Sequence, residues 1–308
     1  MKYILFFILL SSSFFCHAGA THHKTSVLSD NAEAEFEEQL IQGIDAYYQT
    51  DWNTARDIFA ELKKSFPDDP RPYFFESMMP FLEYFFVEQT PELADDFLFI
   101  SERAVDLSQK RLNSQPNDTT MVLMLSGLHG YRGLVAAGQN RHRVALSSGL
   151  TGFNYTRKLL SMGSDRPEAR IGRGMFYYMV GSIPAGMRWA TNMIGIRADI
   201  EDGFSELKQA AESESYVRND AKMMLMYLYS KEERYEEALN YALMLTDALP
   251  DNVIFLFKKA EIYEKLNNNH YAADVYRHII GKNNKCLHSI TIKSTEKLKE
   301  IEKITSKR

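Results

Sequence analysis

Two residues in the last third of the chain return after the same interval: Tyr229 comes back as Tyr263 and Ala238 as Ala272, each 34 residues later. An interval of that length holds two short helices and two turns. The residue types fit such a hairpin: a small side chain such as Ala238 lets the second helix approach the first, and Tyr229 fills the groove beside it. A hairpin of this kind leaves one apolar face uncovered, and only a neighbouring hairpin can bury it. Stacking is therefore dictated by the repeat itself.

The unit from about Asn219 to Asn252 carries Leu225, Tyr229, Ala238, Leu245 and Pro250, and the following unit carries Ala260, Tyr263, Ala272, Tyr276 and Ile279. A third unit near the start carries Gly43, Ala55, Phe59, Leu62 and Pro67. On these residues the chain resembles the tetratricopeptide-repeat family. The resemblance implies an all-α fold, a TPR-like α-solenoid of stacked hairpins, and a use as a binding scaffold rather than any particular chemistry.

Residues 1–20 have the form of an export signal: Lys2, an apolar run from Tyr3 to Leu10, and Ala18-Gly19-Ala20 as a small-residue cleavage site. Cleavage after Ala20 and a periplasmic location, possibly envelope-associated, are expected. Cys16 as an acylated residue fits less well, because the large Phe15 precedes it. Loss of Cys16 leaves Cys286 as the lone thiol, so the mature protein has no internal disulfide and depends on packing. The polar tract 21–34 is expected to be a flexible N-terminus.

Breaks followed by helix starts occur at Pro67-Asp68-Asp69-Pro70, Gln115-Pro116-Asn117-Asp118, Ser164-Asp165-Arg166-Pro167 and Pro250-Asp251-Asn252. They enclose segments of 44 and 45 residues, Arg71–Ser114 and Thr119–Gly163, longer than the C-terminal repeats. The reading is an α-solenoid over 35–282 with enlarged central repeats. A helix within 283–308 is expected to cap the stack through Ile290, Leu298, Ile301 and Ile304. No strand pattern persists.

The middle differs from the rest. Thirteen of the 16 glycines fall between Gly127 and Gly203, and glycine inside a helix costs about 1 kcal/mol relative to alanine, so close backbone contact is the expected compensation. From His129 to Arg197 there are ten Lys or Arg against two acids, a window of +8 in a chain of net charge −5. Two readings stay open. The arginines can pair with acids of the neighbouring hairpin, from Glu76 to Asp106, with Arg170 and Arg173 turned toward the adjacent helix. Alternatively they line a concave groove for an acidic partner. The candidate partner-binding residues are Arg132, Arg141, Arg143, Tyr155, Arg157, Tyr177, Tyr178, Arg188 and Trp189.

Gly174-Met175-Phe176, Ser182-Ile183-Pro184, Gly195, Asp199 and Gly203 give the segment 172–203 a second resemblance, to the inclusion-body-clearance tetratricopeptide family of the mitochondrial outer membrane. It implies a helical layout and no activity. Pro184, Arg188 and Asn192 argue against a membrane-spanning helix there, leaving at most a peripheral contact through Trp189 and Met193.

The sequence carries no phosphate-binding glycine loop, no paired metal-spaced cysteines, no H-E-x-x-H and no G-x-S-x-G. The expectation is a scaffold that is not an enzyme, needs no cofactor or metal, and binds an acidic segment of another protein. A binder of an anionic small molecule in the central basic, glycine-rich hairpins is the alternative, and an enzyme with a site assembled from distant residues stays open. The acidic net charge points away from nucleic acid.

Overall fold

The computed structural model describes residues 27–163, 165–182, 199–215 and 217–305. Among these the chain is all-α, with thirteen helices and no strand. Twelve helices pack as six consecutive pairs: α1 (Val27–Tyr48) with α2 (Trp52–Ser65), α3 (Pro70–Phe86) with α4 (Pro91–Ser114), and α5 (Thr119–Gly138) with α6 (His142–Ser161). The others are α7 (Pro167–Gly181) with α8 (Ile200–Ala211), α9 (Arg218–Lys231) with α10 (Tyr235–Ala248), and α11 (Val253–Lys265) with α12 (Asn269–Lys282). A last helix, α13 (His288–Thr305), packs on α12. The export signal falls outside the described residues. Helix α1 begins at Val27, inside the tract expected to be flexible; Ala32, Glu33, Ala34 and Glu35 are good helix formers and extend it toward the N-terminus.

The turns repeat one another. Between α1 and α2, α5 and α6, α9 and α10, and α11 and α12, one residue adopts the left-handed conformation: Thr50, Asn140, Glu233 and Asn267, with φ between 57° and 60°. The next residue in each case sends its N–H five residues back, as in Asp51 to Ala46, Arg141 to Ala136, Arg234 to Tyr229 and Asn268 to Tyr263. This bond pattern closes a helix by using its last free carbonyls. Three of the five links between pairs end on a capping residue. Asp69, Asp118 and Asn252 accept from the N–H groups of Arg71 (2.9 Å), Met121 (3.1 Å) and Phe255 (2.9 Å) and so start α3, α5 and α11.

Helices α3, α5, α7, α9 and α11 form the inside. Helix α3 buries Phe74, Phe75, Met78, Met79, Phe81, Leu82, Tyr84 and Phe86, and α5 buries every residue from Met121 to Leu128. Each such large side chain contributes about 2 kcal/mol relative to leaving it in water. Their even-numbered partners bury one stripe only; α6 hides just Ser148, Gly149, Gly152, Thr156 and Leu159. That stripe is made of small residues because the backbones nearly touch. A side chain added at Gly152 meets the backbone N of Gly130 at 3.0 Å, and one at Gly133 meets that of Gly149 at 3.2 Å. Gly174 and Gly203 bring α7 and α8 together in the same way.

A stacked array of this kind is expected to present an open concave groove. Here the two ends meet instead. The first turn fits between the last two: Val253 N–H donates to Thr50 Oγ1 (3.3 Å), Asn252 Nδ2 donates to the Tyr48 carbonyl (2.7 Å), and Asn284 Nδ2 donates to the Thr50 carbonyl (3.0 Å). The Tyr48 hydroxyl donates to Asp220 on α9 at 2.5 Å. The last helix joins in, since Ser289 donates to Glu83 in the last turn of α3 (2.7 Å) and Lys293 lies 3.5 Å from Glu88 just beyond it. Within α13, Ile290 and Ile301 are buried as a cap requires, whereas Ile304 is exposed.

Candidate functional site

Closure leaves a cavity of about 720 Å³ between the C-terminal end of α3 and the helices α9, α10, α11 and α13. Its apolar wall is Phe85, Phe86, Met226, Tyr227 and Ile262. Tyr227 holds the wall together: its ring lies 4.9 Å from Phe85 and 6.2 Å from Phe86. Burial pushes its phenol pKa up to about 12, so it is a neutral donor at neutral pH.

The polar part comes from lysines on three helices: Lys231 on α9, Lys258 and Lys265 on α11, and Lys297 on α13. Four ammonium groups face two carboxylates, Glu261 and Glu264, so the lining carries an excess positive charge. Lys258 pairs with Glu261 at 2.6 Å and lies 5.8 Å from the Phe86 ring centroid. Glu264 takes Lys297 at 3.4 Å and accepts a short hydrogen bond from the buried Tyr276 hydroxyl. Lys231 reaches solvent, yet the surrounding protein desolvates its ammonium and lowers its pKa. An aromatic wall beside an excess of cations suits a ligand with an anionic group attached to an apolar body.

The sequence-predicted residues do not gather into one groove. Arg132, on α5, is half-buried and donates to the Leu98 carbonyl (2.5 Å) and Ser101 Oγ (2.7 Å) of α4. Desolvation lowers its pKa, opposed by Glu102 and Asp106. Arg141 pairs with Asp95 at the turn before α6. Tyr155 donates to Gln109 of α4. Tyr178 is buried on α7 and donates to Glu232 in the α9–α10 turn. Tyr177, half-buried, has its ring 6.1 Å from that of Phe176. Arg143 and Arg157 are exposed on the outer face of α6, with Arg157 6.0 Å from the Phe153 ring centroid. Arg170 and Arg173 turn to Glu206 on α8, at 3.1 and 3.0 Å. Arg188 and Trp189 lie outside the described residues. The described members are not gathered in one groove: Arg143 and Arg157 are exposed on α6, and Arg132 and Tyr155 hold α4.

The same region contains a half-buried histidine. His129 stacks on Tyr155 at 5.9 Å, and its Nδ1 has no hydrogen-bond partner among the described residues. Burial first, then the nearby Arg132, push its pKa down to about 4. The folded form therefore binds its proton less readily than the unfolded chain, whose histidine titrates near about 6.5. The stability it contributes is complete above that pH and declines as pH falls toward about 4. Denaturation midpoints taken between those two pH values should fall less steeply for His129→Phe than for the native chain.

Sequence reasoning missed the cavity. Lys258, Glu261, Ile262 and Lys265 recur at three- and four-residue steps, which marks one face of α11, but nothing local shows that Phe85 and Phe86 close over it. Among the described residues no group of three or more His, Cys, Asp or Glu side chains is arranged to hold a metal ion. No helix of the described residues is long and apolar enough to cross a membrane. No family model matches the chain, and no curated protein matches it either.

Proposed function

We propose that this protein is a non-enzymatic, tetratricopeptide-like α-solenoid of the bacterial periplasm or cell envelope that binds another protein through an acidic segment seated in the lysine-rimmed cavity. The observation that carries the reading is the cavity itself: lysines from three helices over a wall of Phe85, Phe86 and Tyr227. The repeat reading is supported by the 34-residue recurrence of Tyr229 and Ala238 together with the four matching left-handed turns. A volume of about 720 Å³ favours a short acidic and aromatic stretch or a chain end over a long extended segment.

A fluorescent peptide alternating Asp or Glu with Phe tests it. The full mature chain should bind this peptide at low salt, and Lys258→Glu with Lys265→Glu should weaken binding at least about 30-fold, or about 2 kcal/mol. Unchanged affinity in the folded double variant would refute the site. Export is tested separately, by whether the protein recovered from the periplasm begins at Thr21.

The volume of about 720 Å³ favours a second reading, an anionic small molecule, because it falls within the size range of small-ligand sites. A melting-temperature screen with carboxylates and phosphates distinguishes the two, since a ligand that binds only the folded state raises the midpoint by mass action.

A further inference from the structure

One wall of the cavity is held differently from the rest. Helices α3, α9, α10 and α11 each have packed chain before and after them, whereas α13 is joined to the rest of the described chain through residues 283–287 alone. Asn284 pins the base of that link. Its Nδ2 donates to the Thr50 carbonyl at 3.0 Å, and its Oδ1 accepts from the N–H groups of Cys286 (2.9 Å) and Leu287 (3.1 Å). Leu287 and Ile290 are fully buried, so the near end of α13 is fixed in place.

The far part is held more weakly. Beyond Ile290, Ser294 and Ile301 are the buried residues of α13 among those described. The Oγ of Ser294 and the Oγ1 of Thr291 have no hydrogen-bond partner among the described residues. A hydroxyl so placed loses its bonds to water without replacing them. The other attachments are ion pairs that reach solvent: Lys293 with Glu88 at 3.5 Å, Lys297 with Glu264 at 3.4 Å, and Glu302 with Arg277 of α12 at 3.2 Å. Pairs of this kind contribute little. Ser289 donates to Glu83, but burial there raises the Glu83 pKa, so laying α13 on this carboxylate disfavours its charged form. Few buried apolar side chains and several polar contacts mark a segment that opens before the rest of a fold does.

We propose that α13 is a hinged cover of the cavity, swinging about residues 284–287 and carrying Lys297 away from Glu264 as it opens. The proposal rests on the reading of the cavity as the binding site. Opening widens the entrance beside α11 and the end of α3. Closing returns Lys297 to the lining and holds the occupant in, as lids do at other enclosed sites.

A thiol inside the cavity reports the opening without any ligand. Met226 lines the cavity and is 1% exposed. Met226→Cys in a full mature chain that also has Cys286→Ser leaves one thiol, and N-ethylmaleimide reaches it when the cover lifts. Ser294→Ala, which removes the orphan hydroxyl and adds no volume, should slow that reaction at least about fivefold. Lys293→Glu, which sets a like charge against Glu88, should speed it at least about threefold. Met124→Cys, equally buried on α5, should react at one rate in all these backgrounds, which separates lifting of α13 from unfolding of the whole chain. Unchanged rates at position 226, or parallel changes at position 124, would overturn the cover. The fluorescent acidic peptide is the second arm: its association should also slow in Ser294→Ala, and association that ignores this change would overturn gating. A native chain that binds no peptide, while position 226 still responds to both variants, would refute the acidic occupant and uphold the cover.

Discussion

The Gly203→Val variant should lose about 3 kcal/mol of folding stability, the upper part of the range for overpacking a closed contact. A first side-chain carbon at position 203 would lie 2.6 Å from the backbone N of Tyr178 and 2.7 Å from the carbonyl of Gly174. Backbone atoms of a packed helix cannot swing aside as a side-chain end can, so α7 and α8 must separate. Opposing this is the helix propensity gained by replacing glycine, at most about 1 kcal/mol, which the clash outweighs. Gly281→Ala is the matched control. It lies near the end of α12 with nothing within 4 Å of an added carbon, so it should be neutral or slightly stabilising. Denaturant midpoints for the two variants decide the matter; equal, small effects would mean that the α7–α8 contact is looser than its geometry implies.

Asn252→Ala should cost about 2–3 kcal/mol, because one side chain does two jobs. Its Oδ1 accepts from Phe255 N–H and caps α11, a role worth about 1 kcal/mol. Its Nδ2 donates to the Tyr48 carbonyl at 2.7 Å across the meeting of the two ends, and loss of that half-buried hydrogen bond costs about 1–2 kcal/mol. Asn252→Asp separates the two: it keeps an acceptor for the cap and loses the donor to Tyr48. Aspartate should therefore recover only the capping part. Full recovery by aspartate would show that the closure bond contributes nothing.

Several elements were legible before any coordinates. Asp69, Asp118 and Asn252 each follow a break and precede an apolar run, and each caps a helix that starts one residue later. Caps, turns and helix periodicity are read off a few neighbouring residues, so a linear string contains them. The start of α1 was misplaced by the same kind of reasoning, since polarity in residues 21–34 was weighed above the helix propensity of Ala32 to Glu35. The candidate site fared differently. Counting arginines between His129 and Arg197 found a real excess of charge, but a count does not tell an outer helix from an inner one. Arg132 and Tyr155 proved to bind α4, Tyr178 to bind the α9–α10 turn, and Arg143 and Arg157 to face outward.

By itself, the sequence determined the all-helical class and the starts of several helices, because these depend on interactions within a few turns of the chain. Tertiary structure alone decided that the ends meet and that a lysine-rimmed cavity lies where they do. Thr50 and Asn284 are 234 residues apart, as recorded by their hydrogen bond, and each looks like an ordinary turn residue. The small rotation from one helix pair to the next, summed over six pairs, brings them together, and no single repeat contains that sum.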